Sequence, residues 1–100
     1  MAFERLVEKL TKENLWLYIL KMLSESPDYP MGLKKRFGSR FGFEPASITF
    51  YMVLYRLKRE GLVESEVKGG RTVYRCTRRG EEELNRAVRY LLETSEKLKP

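Results

Sequence analysis

The chain has 100 residues, with 20 Lys/Arg, 14 Asp/Glu, no histidine and one cysteine, for a formal net charge of +6. That length makes a single domain with a modest core, near the size at which dimerisation aids stability. Without histidine, and with Cys76 alone, the usual ligands for a zinc cluster, an intrachain disulfide and a histidine-dependent triad are all missing. No other acid–base or nucleophile constellation appears, so neither an enzyme nor a cofactor site is expected.

The opening MAFERLVEKL mixes charges among apolar residues and has no signal-peptide core. Phe3, Leu6, Val7 and Leu10 fall at i, i+3, i+4, i+7 and predict a short amphipathic helix. Leu15, Trp16, Ile19, Leu20 and Leu23 continue a helical stripe to about Ser24. Thr11 either caps this second helix or lies inside one long helix. SESPDYP, residues 24–30, reads as a loop, because Pro27 and Pro30 both disfavour helix just before them. Leu33, Phe37 and Phe41 mark one face of the next helix, and Lys34, Lys35, Arg36 and Arg40 lie on the other.

From about Ala46 to Glu60 a further helix buries Phe50, Leu54 and Leu57, with Gly61 as its C′ residue. Leu62–Val67 and Thr72–Cys76 then pair across Gly69-Gly70, a two-residue hairpin signal that calls for positive φ at both glycines. The register sets Val67 opposite Thr72, Ser65 opposite Tyr74 and Val63 opposite Cys76, with Glu64 facing Arg75 on the other side. Val63, Val67, Tyr74 and Cys76 are expected to face inward, leaving the Cys76 thiol inert. Thr77 is placed as the cap of a last helix reaching Leu98, along which Leu84, Val88, Leu91 and Leu98 form a seam. The longest uncharged run, residues 45–55, is too short to span a membrane, which takes about 20 apolar residues. A soluble, cytoplasmic protein is expected.

Charge is segregated along the chain. Residues 29–80 hold 12 Lys/Arg against 4 Asp/Glu, whereas the two flanks hold 8 against 10. A surplus confined to the middle is what a surface facing a polyanion requires. Helices, a two-stranded wing and a final helix, in that order, predict a mainly α winged helix-turn-helix, and the apolar seam on the added C-terminal helix makes that a dimerisation helix. Its DNA-binding part would be residues 1–78 and its dimerisation helix residues 79–100. In such modules one helix lies in the major groove and the hairpin tip lies on the backbone or minor groove.

Three stretches carry a family resemblance. Thr49-Phe50-Tyr51-x-x-Leu54-x-x-Leu57-x-x-x-Gly61-Leu62, then Arg71-x-x-Tyr74-x-x-Thr77-x-x-Gly80, follow Pro30-Met31-Gly32-Leu33-Lys34-Lys35-Arg36-Phe37 in order. Together they resemble the PadR family of transcriptional regulators, particularly its short archaeal members, over most of residues 14–98. Leu33 stands where an aromatic is common. The resemblance implies a homodimeric repressor of double-stranded DNA, joined through the C-terminal helix with help from the N-terminal one. It also implies a small aromatic effector in some members, for which Trp16 is the candidate contact here.

The candidate DNA-binding residues are Lys34 and Lys35, then Ser47, Ile48, Thr49, Tyr51, Met52, Tyr55, Arg56 and Arg59, and the wing residues Lys68 and Arg71. Ile48 and Met52 suit thymine methyls, and Ser47 and Thr49 suit hydrogen bonds to bases or phosphates. The first turns of that helix hold no Arg, Asn or Gln, so phosphate contact and DNA shape are expected to carry much of the binding. The candidate dimerisation residues are Leu6, Leu10, Leu84, Val88, Leu91 and Leu98, and a twofold dimer implies an inverted-repeat site. Two other readings remain at this point: a winged helix that docks a protein through Ile48 and Met52, and one that binds RNA.

Overall fold

The computed structural model describes all 100 residues, Met1–Pro100. Its helices are α1 (Ala2–Leu10), α2 (Leu15–Glu25), α3 (Pro30–Phe41), α4 (Ser47–Arg59) and α5 (Arg78–Leu98). A 3-10 turn, Lys12–Asn14, joins α1 to α2, and the wing strands β1 (Val63–Lys68) and β2 (Arg71–Cys76) lie between α4 and α5. This is the mainly helical winged architecture that the residue pattern predicts. Thr11 ends α1 rather than beginning α2: its hydroxyl donates to the Val7 carbonyl one turn back.

α2 is the central post. Leu15, Ile19, Leu20, Met22 and Leu23 are buried along it, and they meet Leu33 and Phe37 of α3, then Phe50, Leu54 and Leu57 of α4. Leu62, Val63 and Tyr74 close the core from the wing side. Around Phe37, the rings of Tyr18, Phe41, Phe43 and Phe50 meet mostly edge to face at 4.9–6.0 Å between centroids, an arrangement that aromatic quadrupoles favour.

The hairpin has the predicted register, from Val63 opposite Cys76 to Lys68 opposite Arg71. Gly69 and Gly70 have φ of 56° and 78°, the left-handed values that a side chain would strain. Arg75 donates to Glu64 at 2.7 Å across the strands. Two expectations need correcting. Val67 is 73% exposed, because the strands have left the body of the protein by that point and the inward face extends only from Val63 to Tyr74 and Cys76. The stretch 24–30 is not wholly a loop, because Asp28 pairs with Tyr74 as a one-residue third strand. Both amides donate, Asp28 to Tyr74 at 3.0 Å and Tyr74 to Asp28 at 2.8 Å.

The wing's base is clasped. α4 ends in a Schellman-type turn, with Gly61 N–H donating to Lys58 O and Leu62 N–H to Leu57 O. Thr77 then donates its hydroxyl to Gly61 O at 2.7 Å and its amide to Leu62 O at 3.0 Å, while its hydroxyl accepts from Gly80 N–H at 3.1 Å. One threonine thus caps α5 and fixes it to the end of α4. Gly80 lies so close that a methyl group there would stand 2.2 Å from Leu62 O and 2.7 Å from Cys76 Sγ.

Replacing Gly80 by Ala is expected to cost about 1–3 kcal/mol, the usual penalty for overpacking, since backbone cannot step aside. Gly38→Ala is the contrast. Its methyl would meet only the exposed Glu44 side chain, at 2.9 Å, and helix propensity favours Ala over Gly by about 1 kcal/mol. Thermal unfolding should show Gly80→Ala melting well below the parent and Gly38→Ala at or above it. Equal midpoints for Gly80→Ala and the parent would contradict the clasp.

Candidate nucleic-acid interface

α4 turns Phe50, Leu54 and Leu57 inward, so its 3.6-residue period turns Ile48, Met52, Tyr55 and Arg59 out. Ile48 is 75% exposed, and Met52 and Tyr55 are more than half exposed. Ser47, Thr49, Arg56 and Arg59 are also exposed, while Tyr51 is half-buried beside Phe50. Lys34 and Lys35, on α3, share a shallow depression with Tyr51, Met31, Glu44 and Pro45. The structure therefore brings the two lysines to the α3–α4 junction. Arg56 sits at the other border of α4, lining a cavity of about 280 Å³ with Trp16.

Ion pairing sorts the basic residues. Arg36 is held by Asp28 at 2.8 Å, and Arg40 grips both carboxylate oxygens of Glu25. On the wing, Lys68 lies 3.2 Å from Glu66, and Arg75 is shared between Glu64 and Glu66. Within the basic segment 29–80, Lys34, Lys35, Arg56, Lys58, Arg59, Arg71 and Arg79 have no carboxylate partner, so α3 and α4 carry most of that segment's unneutralised charge. Arg71 instead lies over the ring of Tyr29, 4.6 Å from its centroid. Tyr29 is not among the residues that the sequence singles out. The signal for it is the pair of prolines flanking Asp28-Tyr29, which favour extended backbone that a strand could pair with.

Trp16 is half-buried against the core, and its indole N–H donates to Asn14 Oδ1 at 3.0 Å. The cavity beside it has a mixed rim of Lys12, Arg56, Glu13, Glu60 and Glu83. Burial pushes the Cys76 thiol up to about 11, with Glu81 adding to the shift, so the thiol stays protonated at neutral pH.

The proposed dimerisation residues divide by environment. Leu84 packs against its own core, and Leu10 is half-buried. Leu6, Val88, Leu91 and Leu98 are exposed, and so are Phe3, Val7 and Leu92. α1 buries no residue at all, and α5 buries only Gly80. Between α2 and α5, Leu17, Tyr18, Phe41, Leu84, Val88 and Leu91 line an open apolar groove of about 440 Å³.

A wing clasped beside an exposed helix, over a three-helix core, defines a winged helix-turn-helix module. The sequence model of the transcriptional regulator PadR-like family matches residues 19–86, and the chain belongs to that family. Its members are DNA-binding transcriptional regulators rather than enzymes. Among solved structures, a PadR family transcriptional regulator from Eggerthella lenta is 29% identical, with 97% of this chain and 91% of that one covered and a TM-score of 0.75. A PadR-like transcription factor from Bacteroides fragilis has a TM-score of 0.77 at 23% identity, over 94% of this chain and 95% of that one. A PadR-like regulator from Bacillus cereus superposes with a TM-score of 0.74 at 22% identity, covering 84% and 86%. No curated protein matches by sequence. No helix here is long and apolar enough to cross a membrane.

The Glu25–Arg40 pair fixes the far end of α3 against α2, and the hydrogen bond from Arg40 holds the Glu25 carboxyl down at about 2, against a usual 4.5. A depressed folded value stabilises the fold above the unfolded value, and that contribution is lost as pH falls through the folded one. The melting-temperature gap between the parent and Glu25→Gln should therefore be full above about pH 5 and close as pH falls towards 2. Thermal melts across that range check it, and a gap independent of pH would contradict the pairing.

Proposed function

We propose that this protein is a homodimeric, sequence-specific repressor that binds an inverted repeat in double-stranded DNA. α4 would enter the major groove, and the wing would lie on the adjacent backbone or minor groove. The observation that carries this reading is the exposed face of α4, Ile48, Met52, Tyr55 and Arg59, bordered by the unpaired cations Lys34, Lys35 and Arg56. An apolar stripe with a basic border suits thymine methyls flanked by phosphates.

Residues 1–78 form the DNA-binding unit in this reading, and residues 79–100 the dimerisation helix. Support for the dimer comes from Leu6, Val88, Leu91 and Leu98, which a lone chain leaves in water along two helices that bury almost nothing. Twofold pairing through α5, with α1 assisting, would cover them. A small aromatic effector would stack at Trp16, the one tryptophan, whose ring borders the cavity shared with Arg56. Such a ligand would sit directly behind α4.

Leu91→Lys sets a charge in the middle of the seam and should convert a dimer at micromolar concentration into monomers or aggregates. Analytical ultracentrifugation reads the outcome, and a monomeric parent would refute the dimer.

Selection from random duplexes should return an inverted repeat with half-sites about one helical turn apart. On that site, the double change Lys68→Ala, Arg71→Ala should weaken binding and shallow the salt slope by roughly one unit for each phosphate that the wing no longer reaches. Binding that ignores salt would instead favour a protein-docking role for the apolar face. Preference for structured RNA over duplex DNA in competition would replace the DNA reading with an RNA one.

A further inference from the structure

Arg71 stands next to the Gly69-Gly70 turn, near the tip of a hairpin that has left the body of the protein. An exposed arginine at such a tip would ordinarily sample many rotamers, and ordering it on a ligand costs up to about 2 kcal/mol. Here it has a partner. Its guanidinium lies over the ring of Tyr29, 4.6 Å from the centroid. A guanidinium stacked on its flat face leaves its in-plane N–H donors outward and open. No carboxylate competes for them, whereas Lys68 and Arg75 on the same hairpin both have acidic partners.

Tyr29 is itself well anchored. Its amide donates to the Asp28 carboxylate at 2.8 Å, its backbone is extended, and it follows directly on the bridge that Asp28 forms with Tyr74. The other Asp28 oxygen holds Arg36 at 2.8 Å, so the carboxylate over the start of α3 is already neutralised. That carboxylate lies tight against Gly32, where a methyl would stand 2.8 Å from Asp28 Oδ1. The platform under Arg71 is therefore built by the start of α3, which also carries Lys34 and Lys35.

We propose that Tyr29 is a positioning residue for DNA binding, whose ring holds the Arg71 guanidinium with its donors presented to a backbone phosphate. This rests on the DNA-binding reading above. It goes further in assigning the wing's reach to a residue outside the wing, at the N-terminus of α3. It also makes the tyrosine ring, and not its hydroxyl, the active part.

A double-mutant cycle on a random-sequence duplex, read by fluorescence anisotropy at two salt concentrations, tests this. Tyr29→Leu should weaken binding about two- to five-fold per wing, the range of an exposed cation–π contact, and the two wings of a dimer multiply the effect. Tyr29→Phe keeps the ring and should restore parental affinity. In an Arg71→Ala background, Tyr29→Leu should have no further effect. Without DNA, NMR should find the Arg71 side-chain protons shifted upfield by the ring in the parent and in Tyr29→Phe, and unshifted in Tyr29→Leu.

If Tyr29→Leu binds like the parent while Arg71→Ala is weaker, the positioning role is wrong and the wing's DNA contact stands. Equal losses for Tyr29→Leu with and without Arg71 would also overturn it. A loss in Tyr29→Phe matching that in Tyr29→Leu would move the contact to the hydroxyl and refute the stacking role. An Arg71→Ala variant with unchanged affinity and salt slope would remove the wing contact, and the inference with it.

Discussion

Three backbone-level contacts of Thr77 hold the molecule in one shape. Through them the end of α4, the base of the wing and the start of α5 meet at a single point, with Gly80 lacking the side chain that would push them apart. The Gly-Leu pair after α4 and the Thr-x-x-Gly that opens α5 are thus two halves of one joint. Either half alone would be an ordinary helix terminus. Joined, they fix the direction of α5 relative to the exposed face of α4, and the core packing of α2 then only has to support a geometry already set.

Charge follows the same logic. Cations that brace the fold are matched to carboxylates, Arg36 to Asp28 and Arg40 to Glu25, and they secure both ends of α3. Within residues 29–80, five of the seven left unmatched lie on α3 and α4. A net charge of +6 therefore understates how unevenly the available positive charge is spread. Exposed pairs such as Lys68–Glu66 are weak enough to yield to a phosphate, so pairing in the free protein tunes the wing without disabling it.

Much of this is legible in the sequence, for identifiable reasons. The hairpin register follows from two glycines that permit one loop length, and from alternation that the Glu64–Arg75 pair reinforces. The outward face of α4 follows from the period of Phe50, Leu54 and Leu57. Val67 is misplaced by pattern alone because alternation reports which side a residue faces, not how far the body extends beneath it. Asp28 escapes because a single bridging residue has no period. The Tyr29–Arg71 stack joins residues 42 positions apart, and Arg56 turns towards Trp16 because of packing that no local pattern encodes. Composition locates the basic segment, but pairing within it depends on the folded distances.

The long α5 gives the joint at Thr77 a mechanical meaning. Its 21 residues make a rod of about 31 Å, rigidly set into the body that carries α4. In the proposed dimer two such bodies would behave as the arms of a caliper, stiff along each arm and adjustable only at the pivot. Swinging one rod by about 10° would carry its far end about 5 Å, more than the roughly 3.4 Å rise of one base pair. Whatever alters the crossing of the two rods would thereby change which spacing of half-sites the jaws fit, without disturbing a single residue of α4.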